Sequence, residues 1–188
     1  IGGTYRLEGE ISPPPAVRPS LPGKRIALEK IDPGRIRRDS AALDVLQARR
    51  RSVRQYSSAS IGLAAIGEFL WRSCRTTGHL HGHAHELMSR PYPAGGSVNE
   101  LEFYIAIERC EGLEPAVYHY DSHGHALTEL VASRPAARKI VNACSRSMVQ
   151  DIGQLPPAAT IVISTRLPRL AWKYERMAYR ASLMNVGV

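Results

Sequence analysis

Cysteine is scarce in this chain: Cys74, Cys110 and Cys144 are far apart, odd in number and lack any CxxC spacing. That argues against both a zinc knuckle and a disulfide framework, and it suits a reducing cytoplasm. Aromatic residues make up only 6% of the chain, with no aromatic-rich basic strand of the kind that stacks RNA bases, so no nucleic-acid partner is expected. No apolar run approaches the roughly 20 residues that span a bilayer, and the N-terminus has no signal-peptide core. No membrane association is expected either. There is no Walker loop, no GxGxxG and no nucleophile elbow.

What is present is one domain's worth of chain. The 188 residues are 44% hydrophobic, with 25 Lys plus Arg against 17 Asp plus Glu and a net charge of +8. Such a balance favours anionic partners and says nothing of the fold. Residues 1–39 are proline-rich, with Pro13, Pro14 and Pro15 in a row, and read as an extended arm before a domain over 40–188. The chain begins at Ile1, so its natural start is expected to lie upstream.

Periodicity then gives the elements. Ser40 is a plausible N-cap for a short helix over "SAALDVLQARR", and Ser60 for a second over "IGLAAIGEFLWRSCR", where Leu63, Ile66 and Leu70 share a face. Residues 75–100 read as loop. "LEFYIAIER" alternates Leu101, Phe103, Ile105 and Ile107 against Glu102, Tyr104 and Glu108, a strand with one buried face. "AVYHY" and "HALTEL" flank the turn "DSHG" as a β-hairpin. A helix follows at "RPAARKIVNACSRS" with Pro135 in its first turn, then a buried strand at "AATIVIST". "RLAWKYERMAYRASLMNV" reads as one final helix. The class is α+β.

The histidines invite a metal reading. "HLHGHAH" sets His79, His81, His83 and His85 at alternate positions, but Gly78 and Gly82 make a poor strand and no acid or thiol cluster completes a coordination sphere. A solvated loop is the better reading, and no metal is expected. His119, His123 and His125, around the hairpin turn, read as exposed imidazoles of a polar turn.

The densest charge is "ARRRSVRQYSS", four arginines within residues 49–54 followed by hydroxyl side chains. Alone, this is a solvated basic turn or an anion clamp. Three segments taken in order change that reading: "RRRSVRQY", then "RPYPAGGSVNELEFYIAI" with "PAVYHYDSHGHALTEL", then "KYERMAYRASLMNVGV". Their order and spacing resemble the SagB-type, McbC-like branch of the nitroreductase superfamily, over about Arg49 to Val188. The proline-rich arm also suits that branch.

The resemblance implies a nitroreductase-like FMN-binding fold, with a central, mainly antiparallel sheet flanked by helices. It implies an FMN-dependent dehydrogenase that oxidises thiazoline or oxazoline rings to azoles in a ribosomally made peptide. The Arg-x-Ser-x-Arg motif falls on Arg50, Ser52 and Arg54, whose guanidinium forks match phosphate oxygens. The flavin-ring loop falls on Pro93, Ala94, Gly95 and Gly96, with Ala94 where relatives often carry serine; its glycines permit close backbone approach. The catalytic pair falls on Lys173 and Tyr174, expected at an irregular helix start because adjacent helical side chains diverge by about 100°. Arg176 and Arg180 would set positive charge beside Lys173. Implied partners are the modified precursor peptide, the cyclodehydratase and docking proteins of its pathway, and a second copy in a homodimer. The resemblance also implies a continuation beyond Val188. Two alternatives stand beside it: an NAD(P)H-dependent nitroreductase-like enzyme, and a flavin-free scaffold subunit.

Overall fold

The computed structural model describes residues 6–53, 55–80, 85–148 and 155–187, without the side chains of 146–148. In chain order the first elements are β1 (Arg25–Ala27), α1 (Pro33–Asp39), α2 (Leu43–Arg49), β2 (Ile61–Gly62) and α3 (Leu63–Cys74). There follow β3 (Gly78–Leu80), β4 (Leu87–Ser89), β5 (Leu101–Ile107), β6 (Cys110–Glu111), β7 (Val117–Asp121) and β8 (Ala126–Val131). The chain then forms α4 (Arg134–Met148), β9 (Ala159–Thr165), α5 (Leu167–Tyr174) and α6 (Ala178–Val186). Five strands make one antiparallel sheet in the order β1-β8-β7-β5-β9. The α+β class and the central antiparallel sheet are those expected.

The "DSHG" hairpin forms as its turn chemistry dictates. Asp121 Oδ1 accepts from the amides of His123 and Gly124 at 3.0 Å each, an Asx-type turn that reverses the chain between β7 and β8. The apolar face of the sheet carries Phe103, Ile105, Ile107, Tyr118, Tyr120 and Leu127, packed against Ile66, Leu70 and Cys74 of α3. Each fully buried aliphatic side chain there contributes about 1.5–3 kcal/mol. Two phenols of this core keep a partner: Tyr118 donates to Glu114 O at 2.8 Å, and Tyr120 O–H meets His125 Nδ1 at 2.9 Å.

Tertiary packing corrects several local readings. Strand β5 is buried on both faces rather than one, because α4 and the arm cover its polar side. Arg138 of α4 reaches Glu108 at 2.5 Å, and Arg18 of the arm donates to Tyr104 Oη at 2.9 Å. Strand β9 is the reverse case: it pairs only with β5, at the sheet edge, leaving Ile161 and Ile163 partly exposed where burial was expected. Ser40 follows α1, its hydroxyl donating to Ile36 O, and Ala42 precedes α2 without a side-chain cap. Gly62, at the end of β2, precedes α3 in place of Ser60. Part of the expected 75–100 loop is the β3–β4 ribbon.

Cys74 is almost fully buried, and burial pushes its thiol up to about 11. Since the thiolate is the nucleophile, native Cys74 should react with iodoacetamide at neutral pH about 100-fold or more slower than in denaturant. Peptide mapping by mass spectrometry reads this directly. Equal labelling in both states would show that α3 does not stay packed.

Candidate functional site

The loop from Pro93 to Asn99 runs between β4 and β5 in an unusual backbone. Gly96 lies in the left-handed region (φ 57°, ψ 28°), and Ser97 (φ 53°) and Asn99 (φ 50°) follow it there. A non-glycine residue at positive φ costs of order 1–3 kcal/mol and persists where the surroundings over-determine it, often at functional sites. Of the four such residues among those described, Ser97 and Asn99 lie in this loop, Glu175 directly follows Tyr174, and His125 lies in the hairpin turn. The loop is pinned from outside. Gly95 N–H donates to Asn185 Oδ1 of α6 at 3.1 Å, and Asn185 Nδ2 donates to the fully buried carboxylate of Glu100 at 3.0 Å.

Lys173 and Tyr174 reach this loop from the other side. They do not begin a helix: they end α5, and the chain breaks at Glu175 (φ 43°, ψ −117°) into a 3-10 turn over Glu175–Met177 before α6. The expected single helix is thus two. Tyr174 has already left helical geometry (φ −117°, ψ 0°), which frees its ring from the divergence of a regular helix. Lys173 Nζ donates to Gly96 O at 2.9 Å. A Cβ on Gly96 would collide with Lys173 Nζ and would stand 2.5 Å from Tyr174 Oη. Both polar ends therefore meet over one glycine. Both side chains are buried.

Arg169 ties these pieces together. It is 3% exposed and donates only to backbone carbonyls: Val98 O at 2.8 Å, Pro14 O at 2.7 Å and Glu86 O at 2.6 Å. Burial pushes its guanidinium down to about 10, with Arg166 adding repulsion, so it stays charged at neutral pH. One turn either side, Arg166 donates to Ala16 O and Pro15 O, and Trp172 Nε1 donates to Ile11 O at 2.6 Å. The i, i+3, i+6 stripe thus lashes the arm along α5, antiparallel to it. Prolines lack N–H but keep their carbonyls, so this is the contact such a segment can offer. Sequence reasoning did not single out Arg166, Arg169, Glu100 or Asn185; the helical spacing of 166, 169 and 172 was the one local signal.

The other sequence-predicted residues lie elsewhere. Arg50 and Ser52 are exposed just after α2, and among the described residues no hydrogen bond or ion pair joins them to the Gly96 loop. Arg54 lies outside the described residues, as do His81 and His83. Arg176 and Arg180 are exposed beyond the break rather than on one face with Lys173. Of the turn histidines only His123 is exposed. His119 is buried against Glu102 at 2.7 Å, and burial depresses His125, whose Nδ1 meets Tyr120. These two imidazoles serve the packing of the hairpin. His85 is buried, its ring 5.4 Å from that of Trp172, so that end of the histidine run is not a solvated loop. An apolar cavity of about 360 Å³, lined by Phe69, Tyr92, Phe103, Ile161, Ile163 and Asn185, lies where α6 meets the sheet.

No protein-family model matches this chain, and no curated protein matches it significantly. Solved structures do. A protein from Anabaena variabilis, provisionally assigned as a nitroreductase, superposes with a TM-score of 0.62 at 19% identity, over 94% of this chain and 31% of its own. A second provisionally assigned nitroreductase, from Ralstonia eutropha, gives 0.62 at 20% identity over 94% and 75%. A chain of the Escherichia coli microcin synthetase McbBCD complex, solved with truncated pro-MccB17 bound, gives 0.54 at 16% identity over 97% and 71%. The fold is nitroreductase-like. This chain spans under a third of the Anabaena protein.

Proposed function

We propose that this chain belongs to an FMN-dependent dehydrogenase that oxidises azoline rings to azoles in a ribosomally made peptide. The observation that carries the reading is the meeting of Lys173 and Tyr174 over Gly96, at a strained loop beside an apolar cavity. The likeness to a chain of a synthetase complex holding a pro-microcin supports a peptide substrate. The residues present suit FMN. The Gly95–Gly96 backbone brings no side chain of its own, Lys173 Nζ and Tyr174 Oη standing where a Gly96 Cβ would be, and the aromatic-lined cavity near Asn185 offers a planar ring an apolar wall. The basic run at Arg50, Ser52 and Arg54 supplies donors for its phosphate. The pathway's cyclodehydratase and docking proteins, a homodimeric assembly and a cytoplasmic setting belong to the same reading. No helix among the described residues is long and apolar enough to cross a membrane.

Aromatising an azoline removes one ring proton and one hydride equivalent. FMN, when bound, supplies the acceptor for the electron pair. The chain's own part is the proton. Lys173 Nζ, anchored on Gly96 O, is the base, and Tyr174 Oη beside it donates to or relays from the ring nitrogen. Buried placement holds both away from bulk water.

Purified protein should show a flavin absorbance band and release FMN on denaturation. Arg50→Ala should weaken FMN binding by about 1.5–3 kcal/mol, the worth of a charge-assisted hydrogen bond, with little change in melting temperature. An azoline peptide should lose two hydrogens per ring by mass spectrometry. Protein that takes up no FMN at micromolar concentration would sink the reading. The two nitroreductase-type neighbours favour a second one, NAD(P)H-driven reduction of small electrophiles. Rapid NAD(P)H consumption with a nitroaromatic and none of the azoline chemistry would select it.

A further inference from the structure

The proline-rich arm covers a second cavity, on the sheet face opposite the apolar core. Cross-strand pairing sets Tyr104, His119, Thr128 and Arg25 in one row across β5, β7, β8 and β1. Above that row, arm residues 16–21 roof a cavity of about 200 Å³. Its side wall includes Arg90, which follows β4. Lys173, Tyr174 and Gly96 are not part of it.

The charges lining this cavity do not cancel. Arg25 is spent on Asp121 at 2.8 Å. Glu102 has Arg166 Nε at 3.8 Å as its charged neighbour, and its other oxygen meets His119 Nε2 at 2.7 Å. Arg18 and Arg90 have only neutral partners: Arg18 donates to the Tyr104 hydroxyl and Arg90 Nη1 to Cys74 O, both at 2.9 Å. Among the described residues neither forms a salt bridge, and Arg90 Nε is buried with no hydrogen-bond partner. Burial lowers the affinity of Arg166 for its proton, Glu102 opposes this, and the positive charges of Arg18 and Arg90 add to the lowering. Water can fill an empty donor site, but it cannot balance two like charges brought together under a roof. An anion does both.

We propose that this cavity binds a small carboxylate or phosphate anion between Arg18 and Arg90. Guanidinium forks match the oxygens of both ligand classes, and 200 Å³ admits inorganic phosphate or a short dicarboxylate rather than a nucleotide. Because Arg18 belongs to the arm and Arg90 to the body, a bound anion bolts the arm over the sheet. The same arm is lashed to the helix bearing Lys173 by Arg166, Arg169 and Trp172. The site therefore couples anion supply to the order of the arm. It does not depend on the flavin reading.

The test is calorimetric titration of the full chain, without added flavin, with inorganic phosphate and separately with succinate at constant ionic strength. One saturable site is expected for at least one probe, and the probe that binds names the ligand class. Arg18→Gln and Arg90→Gln should each weaken it tenfold or more. Arg37→Gln, on the exposed surface of α1, should leave it unchanged. Hydrogen exchange of the amides of residues 16–18 should slow on binding in the wild type and not in Arg18→Gln. Should Arg90→Gln not fold, Arg18→Gln decides alone, since it alters only the arm. The proposal is overturned if neither probe gives a saturable site. It is equally overturned if Arg37→Gln weakens binding as much as the cavity variants do, or if both cavity variants bind as the wild type does.

Discussion

An azoline peptide given to the Lys173→Ala protein should be oxidised roughly 10²–10⁴-fold more slowly than by the wild type, with flavin still bound. Tyr174→Phe should fall in the same range. The expectation rests on placement: Lys173 Nζ is fixed on Gly96 O, the phenol beside it, and both are withdrawn from solvent. Truncating Lys173 removes one hydrogen bond to an exposed loop glycine, so the melting temperature should move little. Removing only the phenolic oxygen leaves the ring in its cluster with Val98, Leu170 and Ala178. Stopped-flow reduction of the bound flavin by substrate separates chemistry from binding. Wild-type reduction rates in both variants would make the pair structural and take away the main support for a dehydrogenase.

Arg169→Met should destabilise the protein by about 3–5 kcal/mol, the largest stability effect expected of any single change here. The substitution keeps most of the volume but strips the donors from the carbonyls of Pro14, Glu86 and Val98. The buried Val98 carbonyl left without a partner costs its full desolvation, and the half-buried carbonyls of Pro14 and Glu86 regain only part of theirs from water. Arg169→Lys should rescue little, because a point ammonium cannot span three carbonyls on three segments as the planar fork does. Urea unfolding reads this as a lower midpoint at unchanged slope. A loss under about 0.5 kcal/mol, within the range of ordinary surface changes, would mean that the arm and loop are held by other contacts.

The elements that sequence reading placed well share one trait: their signal is local. Alternation in "LEFYIAI", the Asp-initiated turn at Asp121 and the 3.6-residue period of α3 each fit within a dozen residues. The Lys173–Tyr174 pair was named by its residue types, but its place at the end of α5 could not be read from them. The loop glycines were read as permitting close backbone approach; the left-handed turn through Gly96, Ser97 and Asn99 was not legible locally, since two of its three residues are not glycine.

What local pattern could not reach was decided by contacts across the chain. Glu102 and His119 read as solvent-facing because alternation gives the side of a strand, not what covers it; the arm and α4 cover this one. Strand β9 read as buried from its apolar run, yet it took a sheet edge because strand order is a property of the whole sheet. The break at Glu175 interrupts a helical period that continues on both sides, so nothing in the run of residues announces it. The arm's seat on α5 is the extreme case. Its bonds join residues about 150 positions apart, and they end on backbone carbonyls, which every residue possesses and no side-chain pattern can therefore mark.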